Sequence, residues 1–270
     1  ILDVKASIDM GDGRLKLMIW YDNEWSYSAQ LIRMLEYMHL QNSLAKIENK
    51  PHIKEENLIN STELLGQSSS FNTKYFKNIE MKGLRVVLRA DYNVPMKDGV
   101  ILDDFRITST IGTIKYILEV KKPKYLLLTA HFGRSASESL KFIVPILENL
   151  LKECVSHVKF LPDGISDQTM ITLNAGASKV YLLENLRIHK EETLYEYMTE
   201  KEIENNKIVR LYRSFGDVFI SDAFGCTHRP HMSICDPANS RNTYGYGELI
   251  RSELCALDML IANESKKRKV

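Results

Sequence analysis

The residues best suited to chemistry in this sequence are four arginines, a histidine, an aspartate and an asparagine that lie in the segments after short apolar runs. The candidates are Asp91, Asn93, Arg106, His131, Arg134, Arg187 and Arg229. Arginine suits anion binding because its planar guanidinium can donate two hydrogen bonds to one phosphate or carboxylate. Gathered at one place, the basic members of this set would repel one another unless an anion lay among them. The residue types therefore favour a phosphorylated metabolite that also bears a carboxylate.

The elements that would position these residues are short apolar runs that alternate with helical stretches. The runs are LRVVLRA from residue 84, YLLLTAH from 125, HVKFLP from 157, KVYLLEN from 179 and DVFISDAF from 217. The helical stretches include Ile107 to Val120, Leu140 to Lys152 and Glu191 to Phe215. Nearly continuous apolar strands are typical of a sheet covered by helices on both faces. The pattern predicts an α/β fold with a three-layer, doubly wound, Rossmann-like parallel sheet.

In an open parallel sheet, ligands bind outside the carboxyl ends of the strands. The residues that follow the runs are Asp91 and Asn93 for the first, His131 and Arg134 for the second, Arg187 for the fourth, and Asp222, His228, Arg229 and His231 for the fifth. The loop after the first run then leads to Arg106 at the start of the next helix. We therefore expect four arginines and a histidine to meet at one edge of the sheet.

Plainer interpretations exist for each candidate taken alone. A single arginine after a strand is usually a solvated loop residue or a partner in a surface ion pair. Asp91 and the Asn93-Val-Pro segment would also suit an ordinary turn. His228 and His231 resemble a metal pair, but no further ligands cluster with them in the sequence, so we predict no metal site. Basic residues at several successive strand ends favour the anion site.

The composition excludes several classes of function. Thirty-six basic and 35 acidic residues give a formal charge of +1, so there is no overall attraction to nucleic acid or to anionic membranes. The four cysteines are far apart and form no CxxC pair, which argues against zinc and against a secreted disulfide framework. No apolar run approaches the roughly 20 residues of a membrane span. These features predict a cytoplasmic protein without nucleic-acid or membrane partners.

The first 71 residues differ in character from the rest. Leu15 to Asp22 predicts a buried strand, and Asn23 to Met38 predicts a helix for which Asn23 is a plausible N-cap. Residues 39 to 71 are polar and Ser-rich, as in a linker. We thus expect a strand-helix segment at 1–38, a linker at 39–71 and a main domain at 72–270. Because the chain lacks an initiating Met and stops at SKKRKV, we expect a piece of a longer polypeptide. The basic cluster SKKRKV is better explained as a solvated surface than as a nuclear localisation signal.

Four segments carry a resemblance to a known family. RADYNVP (89–95), AHFGR (130–134), LLENLRIHKEE (182–192) and SDAFGCTHRPHMS (221–233) closely resemble the signature segments of phosphoglycerate kinase, in the same order. The resemblance covers about residues 72–270, essentially that family's N-terminal domain. It implies a glycolytic kinase, a transferase that moves a phosphoryl group between 1,3-bisphosphoglycerate and ADP to give 3-phosphoglycerate and ATP.

The same resemblance implies roles for individual residues. Asp91 and Asn93 would contact the glycerate hydroxyl and carboxyl region, and Arg106 would be the catalytic arginine that stabilises charge on the moving phosphoryl group. The non-transferred phosphate would be held by His131, Arg134, Arg187 and Arg229. Mg-ADP or Mg-ATP would be bound by a C-terminal domain that has no counterpart here, so we expect this chain to bind substrate without turnover. The alternative is a non-catalytic phosphometabolite-binding or interaction module.

A second resemblance concerns the N-terminal segment. KLMIWYDNEWSYS (16–28) looks like the C-terminal strand and helix of glyceraldehyde-3-phosphate dehydrogenase, over about residues 1–38. It implies that Asn23 contacts the nicotinamide amide, although a simple helix cap remains the alternative. NAD would be a cofactor only if a dehydrogenase half lies upstream. Two consecutive glycolytic enzymes joined in one bifunctional fusion would explain both resemblances.

Overall fold

The computed structural model describes residues 2–9, 15–19, 74–133, 137–239 and 243–256. The chain divides into two compact units, residues 1–55 and 56–270. In the first unit, strand β1 (Leu2–Asp9) pairs antiparallel with β2 (Leu15–Ile19). Strand β2 covers the first part of the predicted strand Leu15 to Asp22, whereas β1 was not predicted. The helix predicted from Asn23 to Met38 and the linker at 39–71 lie outside the described residues.

The second unit is built on one parallel sheet. Its strands, in chain order, are β3 (Arg85–Arg89), the two-residue strands β4 (Met96–Lys97) and β5 (Val100–Ile101), β6 (Tyr125–Thr129), β7 (Val158–Leu161), β8 (Val180–Leu183), β9 (Val218–Ser221) and β10 (Thr243–Tyr246). Within the described residues the sheet has six strands in the order β10-β9-β3-β6-β8-β7, all parallel, and β4 and β5 form a separate antiparallel ribbon. All five predicted apolar runs form strands, and the predicted fold class is confirmed.

Helices connect the strands. They are α1 (Phe105–Thr108), α2 (Ile111–Tyr116), α3 (Val144–Leu150), α4 (Asp167–Ala175), α5 (Glu191–Leu194), α6 (Glu200–Asn205), α7 (Lys207–Ser214), α8 (Met232–Asn239) and α9 (248–256). A π-helical turn, Ile117–Lys121, follows α2, and short 3-10 turns include Leu186–Ile188 and Phe224–Cys226. Among the residues described, none of these helices has both the length and the apolar character needed to cross a bilayer.

Both faces of the sheet are covered. Val86 and Leu88 of β3 belong to one apolar core, which α2 and α3 complete. Val87, which points to the other face, belongs to a second core completed by α4, α7 and α8. This alternation explains the sequence pattern, because a strand buried on both faces needs apolar residues at every position. The three-layer arrangement leaves the strand ends and the loops that follow them to form the site.

Two predicted helices are divided in the structure. The stretch from Glu191 to Phe215 is interrupted because Thr199 starts α6 with a capping box to Glu202, and Asn206 starts α7 by accepting hydrogen bonds from two backbone amides. The stretch from Ile107 to Val120 is likewise divided into α1, α2 and the π-helical turn. There, the Thr110 hydroxyl donates to the Ile107 carbonyl, which competes with regular helix bonding.

Candidate functional site

The order of the strands in the sheet decides which strand ends lie side by side, where a ligand could bind. The chain passes from β3 to β6 on one side and returns to β9 on the other side of β3. In open parallel sheets, the point where the strand order reverses is where a crevice opens at the carboxyl ends. The loops after β3, β6, β8 and β9 all lie at this edge, and they carry the candidate residues.

Asp91 and Arg106 form an ion pair at this edge. Nη1 of Arg106 donates to Oδ2 of Asp91 at 2.8 Å, and the two side chains are only 13% and 8% exposed. Arg106 lies in α1, as expected from the sequence, and Asp103 fixes the start of that helix by accepting from the amide of Phe105 at 2.8 Å. The other carboxylate oxygen of Asp91 accepts from the amide of Asn93 at 3.2 Å. The loop after β3 is thus organised around one carboxylate.

Asn93 and Asn185 join neighbouring loops. Oδ1 of Asn93 accepts from the amide of Gly133 at 2.9 Å, where a φ of +62° in the left-handed region favours glycine. Asn185, after β8, is fully buried and donates to the carbonyls of Phe132 and Glu138 at 2.8 and 2.7 Å. Its Oδ1 also accepts from the amide of Phe132 at 3.1 Å. The loops after β3, β6 and β8 are therefore held together by side-chain amides.

Arg187 and Arg229 bring like charges together at the same edge. Arg187 lies in the 3-10 turn after β8, where its amide donates to Oδ1 of Asn185 at 3.1 Å. Arg229 follows β9, and its amide donates to the Cys226 carbonyl at 3.0 Å. Both side chains are half-buried. Burial and the nearby positive charge of Arg229 lower the pKa of Arg187. Neighbouring guanidiniums of this kind suit a multiply charged anion.

His131 lies beside this pair and is almost fully buried. Its Nδ1 is 2.9 Å from Nη2 of Arg89, which is buried at the end of β3. Burial, together with Arg89 and Arg187, holds the pKa of His131 far below its usual range. His131 is therefore a neutral imidazole within a cluster of arginines.

A second buried histidine, His231, stands next to this one. The two rings are 6.0 Å apart, centroid to centroid, in an edge-to-face arrangement. Burial and the guanidiniums of Arg89 and Arg229 lower the pKa of His231 to about 3. Neither imidazole adds positive charge near neutral pH, so the net charge of the edge comes from its arginines.

Asp91, His131 and Cys226 are the described residues that come nearest to a metal site. One ligand atom of each lies within 4.8 Å of the others. However, Arg106 donates to Asp91, Arg89 donates to His131, and burial followed by the charge of Asp91 raises the pKa of Cys226 to about 12. A protonated thiol and surrounding guanidiniums oppose a cation, so the group fits neither zinc nor Mg²⁺.

The structure therefore brings together Asp91, Asn93, Arg106, His131, Arg187 and Arg229 of the predicted set. Arg134 and Asn23 lie outside the described residues, so their placement stays a prediction. Sequence reasoning missed Arg89 and the buried Glu192, which lies 3.8 Å from it. The sequence held one signal for this buried pair, namely Arg89 inside the apolar run LRVVLRA. A charged residue in a buried strand needs a partner, because an unpaired charge is rarely buried.

Comparisons with known proteins give one consistent result. The family model described as phosphoglycerate kinase matches residues 76–270. A phosphoglycerate kinase from Mycoplasmoides gallisepticum is 33% identical over 203 residues, which are 73% of this chain and 48% of that protein. One from Debaryomyces hansenii is 37% identical over 166 residues, or 58% of this chain and 40% of that protein.

Solved structures agree with these sequence matches. The phosphoglycerate kinase structure from Pyrococcus horikoshii OT3 matches with a TM-score of 0.59 and 27% identity, covering 67% of this chain and 44% of that one. The structure from Coxiella burnetii matches with a TM-score of 0.51 and 27% identity, covering 67% and 43%. The chain spans about half the length of the curated relatives it matches.

Proposed function

Because the chain belongs to the phosphoglycerate kinase family, we propose that it forms the 3-phosphoglycerate-binding half of such a kinase. The reaction is transfer of a phosphoryl group between the acyl phosphate of 1,3-bisphosphoglycerate and ADP. We also propose a cytoplasmic location, in keeping with the glycolytic assignment. The family uses a Mg-nucleotide, and we propose that Mg-ADP or Mg-ATP is bound by residues outside this chain.

The observation that carries the proposal is the excess of positive charge at the strand ends. Arg106 is balanced by Asp91, and Arg89 is balanced by Glu192. Arg187 and Arg229 remain close together as the positive excess. A phosphate dianion would neutralise that excess and accept hydrogen bonds from both guanidinium forks. We therefore assign the non-transferred phosphate to Arg187, Arg229 and His131, with Arg134 joining them by sequence resemblance.

The remaining residues suit the rest of the substrate. The Asp91 carboxylate can accept a hydrogen bond from the glycerate hydroxyl, and the Asn93 amide can both donate and accept. Arg106, which is paired with Asp91, would stabilise negative charge on the phosphoryl group as it moves. In phosphoryl transfer, catalysis depends mainly on positioning and fixed charge, so a pre-positioned arginine suits this role.

Calorimetric titration of the chain with 3-phosphoglycerate tests the binding proposal. We expect binding that Arg187→Ala or Arg229→Ala weakens by about tenfold or more, since each substitution removes charge-assisted hydrogen bonds. Arg210→Ala, at an exposed position of α7, is the matched control and should leave affinity unchanged. Glycerate without its phosphate should bind much more weakly. Absence of binding to the unmodified chain would contradict the proposal.

Turnover is tested separately on the full-length protein. With 1,3-bisphosphoglycerate and Mg-ADP we expect formation of ATP, whereas the present chain alone should bind without turnover. Binding of 3-phosphoglycerate without ATP formation by the full-length protein would favour a non-catalytic phosphometabolite-binding module instead.

For residues 1–38 we propose descent from the C-terminal segment of glyceraldehyde-3-phosphate dehydrogenase. The support is the sequence KLMIWYDNEWSYS, in which Asn23 would be the nicotinamide contact. The transcript upstream of Ile1 provides the test. A reading frame that encodes a dinucleotide-binding domain and a catalytic cysteine would support a bifunctional fusion with NAD as cofactor, and an unrelated sequence there would contradict it.

A further inference from the structure

We propose that Arg89 is a positioning residue that fixes His131 as a neutral imidazole carrying its proton on Nε2. The inference deepens the proposed function, on which it rests for the identity of the ligand, because His131 is one of the groups assigned to the phosphate. It concerns a residue with no part in the proposed ligand contacts. Arg89 would act on the ligand only through the ring of His131.

The guanidinium of Arg89 is held in place on several sides. Its side chain is 2% exposed at the end of β3. Nε donates to the hydroxyl of Ser233 at 2.9 Å, and Nη1 donates to the carbonyl of Ala90. Nη2 is then directed at Nδ1 of His131, at 2.9 Å. A guanidinium anchored at its other two nitrogens has little freedom to turn away from the histidine.

The direction of the last hydrogen bond fixes the tautomer. A guanidinium has five N–H donors and no acceptor, and it stays protonated in proteins. Nδ1 of His131 must therefore accept, which requires it to be unprotonated. A neutral imidazole carries its single proton on the other ring nitrogen. His131 thus presents Nε2–H as a hydrogen-bond donor.

The charge of Arg89 is balanced inside the protein. The fully buried carboxylate of Glu192 lies 3.8 Å away, and it accepts from the Ser233 hydroxyl at 2.7 Å and from the Ser233 amide at 3.0 Å. Burial raises the pKa of Glu192, while Arg89 and the bonds from Ser233 oppose that shift. A buried pair of this type costs desolvation energy, so stability alone is a weak reason to have one. Orientation of a ligand-binding ring gives it a function.

The surroundings of His131 also keep it neutral. The charged and titratable groups that face it are Arg89 from β3, Arg187 after β8, and Cys226, Arg229 and His231 after β9, with Asp91 of the loop after β3 close to its ring nitrogen. Apart from Asp91 these groups are positive or neutral, and the three nearby arginines would repel a positive charge on the ring. His131 should therefore donate the same hydrogen bond to a phosphate across the physiological pH range.

Nitrogen NMR of the unmodified chain, labelled at histidine, tests the tautomer directly and needs no ligand. From about pH 5 to about pH 8, where a free imidazole would titrate, we expect His131 to keep a protonated Nε2 and an unprotonated Nδ1. A proton on Nδ1, or titration of the ring within that range, would overturn the inference. This outcome does not depend on the proposed function. Failure of 3-phosphoglycerate to bind would count against the function alone.

A pair of double variants tests the cause. Arg89→Met with Glu192→Gln removes both buried charges, and Arg85→Met with Asp217→Asn is the matched control at the opposite end of β3, where the two residues pair at 2.6 Å. In the first variant we expect mixed tautomers, because Nδ1 no longer faces a fixed donor, while burial and the remaining arginines keep the ring neutral. Its affinity for inorganic phosphate should fall about tenfold, because only a fraction of the rings then present a proton on Nε2. The control should keep both properties of the unmodified chain.

Circular dichroism shows whether each variant folds. If the first does not, Arg89→Lys takes its place, because an ammonium keeps the charge without the fixed fork. A folded variant at position 89 in which His131 keeps a single Nε2–H tautomer would overturn the positioning role, whatever its affinity for phosphate.

Discussion

Oδ2 of Asp91 accepts a hydrogen bond from Nη1 of Arg106 at 2.8 Å, so the loop after β3 and helix α1 meet in a partly buried ion pair. With side chains 8% and 13% exposed, the pair is shielded from water. Shielding strengthens the attraction relative to a surface ion pair. Arg106 is thereby held beside the groups that we assign to the glycerate.

Substitution of Arg106 should affect turnover more than binding. We expect Arg106→Ala to lower the kcat of the full-length protein by about 10²–10³-fold, the range for loss of a transition-state charge stabiliser. Arg106→Lys should retain part of the activity because it keeps the charge without the planar fork. Steady-state kinetics in the direction of ATP formation measures both variants. A rise in KM with unchanged kcat would contradict the catalytic assignment.

The Arg187–Arg229 pair should cost stability when no anion is bound. Arg187→Gln should raise the free energy of unfolding by about 0.5 kcal/mol, since it removes repulsion between partly exposed charges. Urea unfolding in about 0.01 M and about 1 M sodium chloride provides the measurement, because the higher salt screens charges beyond about 3 Å. The gain should shrink in the higher salt. Arg210→Gln is the control, and an equal gain there would indicate a general charge effect.

Asp222 should make stability depend on pH. Burial raises the pKa of this carboxyl to about 6, even though Thr113 donates to it at 2.6 Å. In the unfolded chain an aspartate titrates near about 3.9. Its contribution to stability is therefore complete below about pH 4 and is lost as the pH rises through about 6, because the unfolded state releases its proton first.

The comparison of Asp222→Asn with the unmodified chain isolates this contribution. The difference in free energy of unfolding, unmodified minus variant, should fall by on the order of 2 kcal/mol between about pH 4 and about pH 7. Urea unfolding across that range measures it. Asp217→Asn is a control of opposite sign, because the hydrogen bond from Arg85 lowers the pKa of Asp217 and its contribution is lost as the pH falls. A difference in free energy of unfolding that does not change with pH for Asp222→Asn would contradict the raised pKa of Asp222.

Gly247 should tolerate no side chain. A Cβ at this position would lie 2.3 Å from the carboxyl carbon of Asp222, so we expect Gly247→Ala to lower the free energy of unfolding by about 1–3 kcal/mol. Gly112→Ala is the matched control in α2, where nothing lies within 4 Å, and it should be neutral or stabilise by up to about 1 kcal/mol. Thermal unfolding compares the two. Equal effects would contradict the close packing at residue 247.

The central strands were predictable because their sequences leave little ambiguity. Burial on both faces of β3, β6 and β8 produces unbroken apolar runs, and the predicted strands agree with these elements. Strand β10 was missed, since its four residues include Gly245 and pair only at the edge of the sheet. The start of a new helix at Thr199 could have been predicted from the sequence, because Thr199 and Glu202 form the capping-box sequence signature.

The site was predictable only in part, and the limit has a physical cause. The rule for strand ends correctly gathers Asp91, His131 and Arg187, since it depends only on the direction of parallel strands. It does not identify Arg89 and Glu192, because they pair across the fold from distant parts of the sequence. The ion pair of Asp91 with Arg106 was also not foreseen, as the loop between them has no fixed path in the sequence pattern.

The start of α9 is bonded to the loop after β9. The amides of Leu249 and Ile250 donate to one carboxyl oxygen of Asp222, which precedes Arg229 by only a few residues in the loop after β9. A movement of that loop would either break these two hydrogen bonds or shift the start of the helix with it. We therefore expect a shift of the loop after β9 to reach the first turn of α9 through the side chain of Asp222.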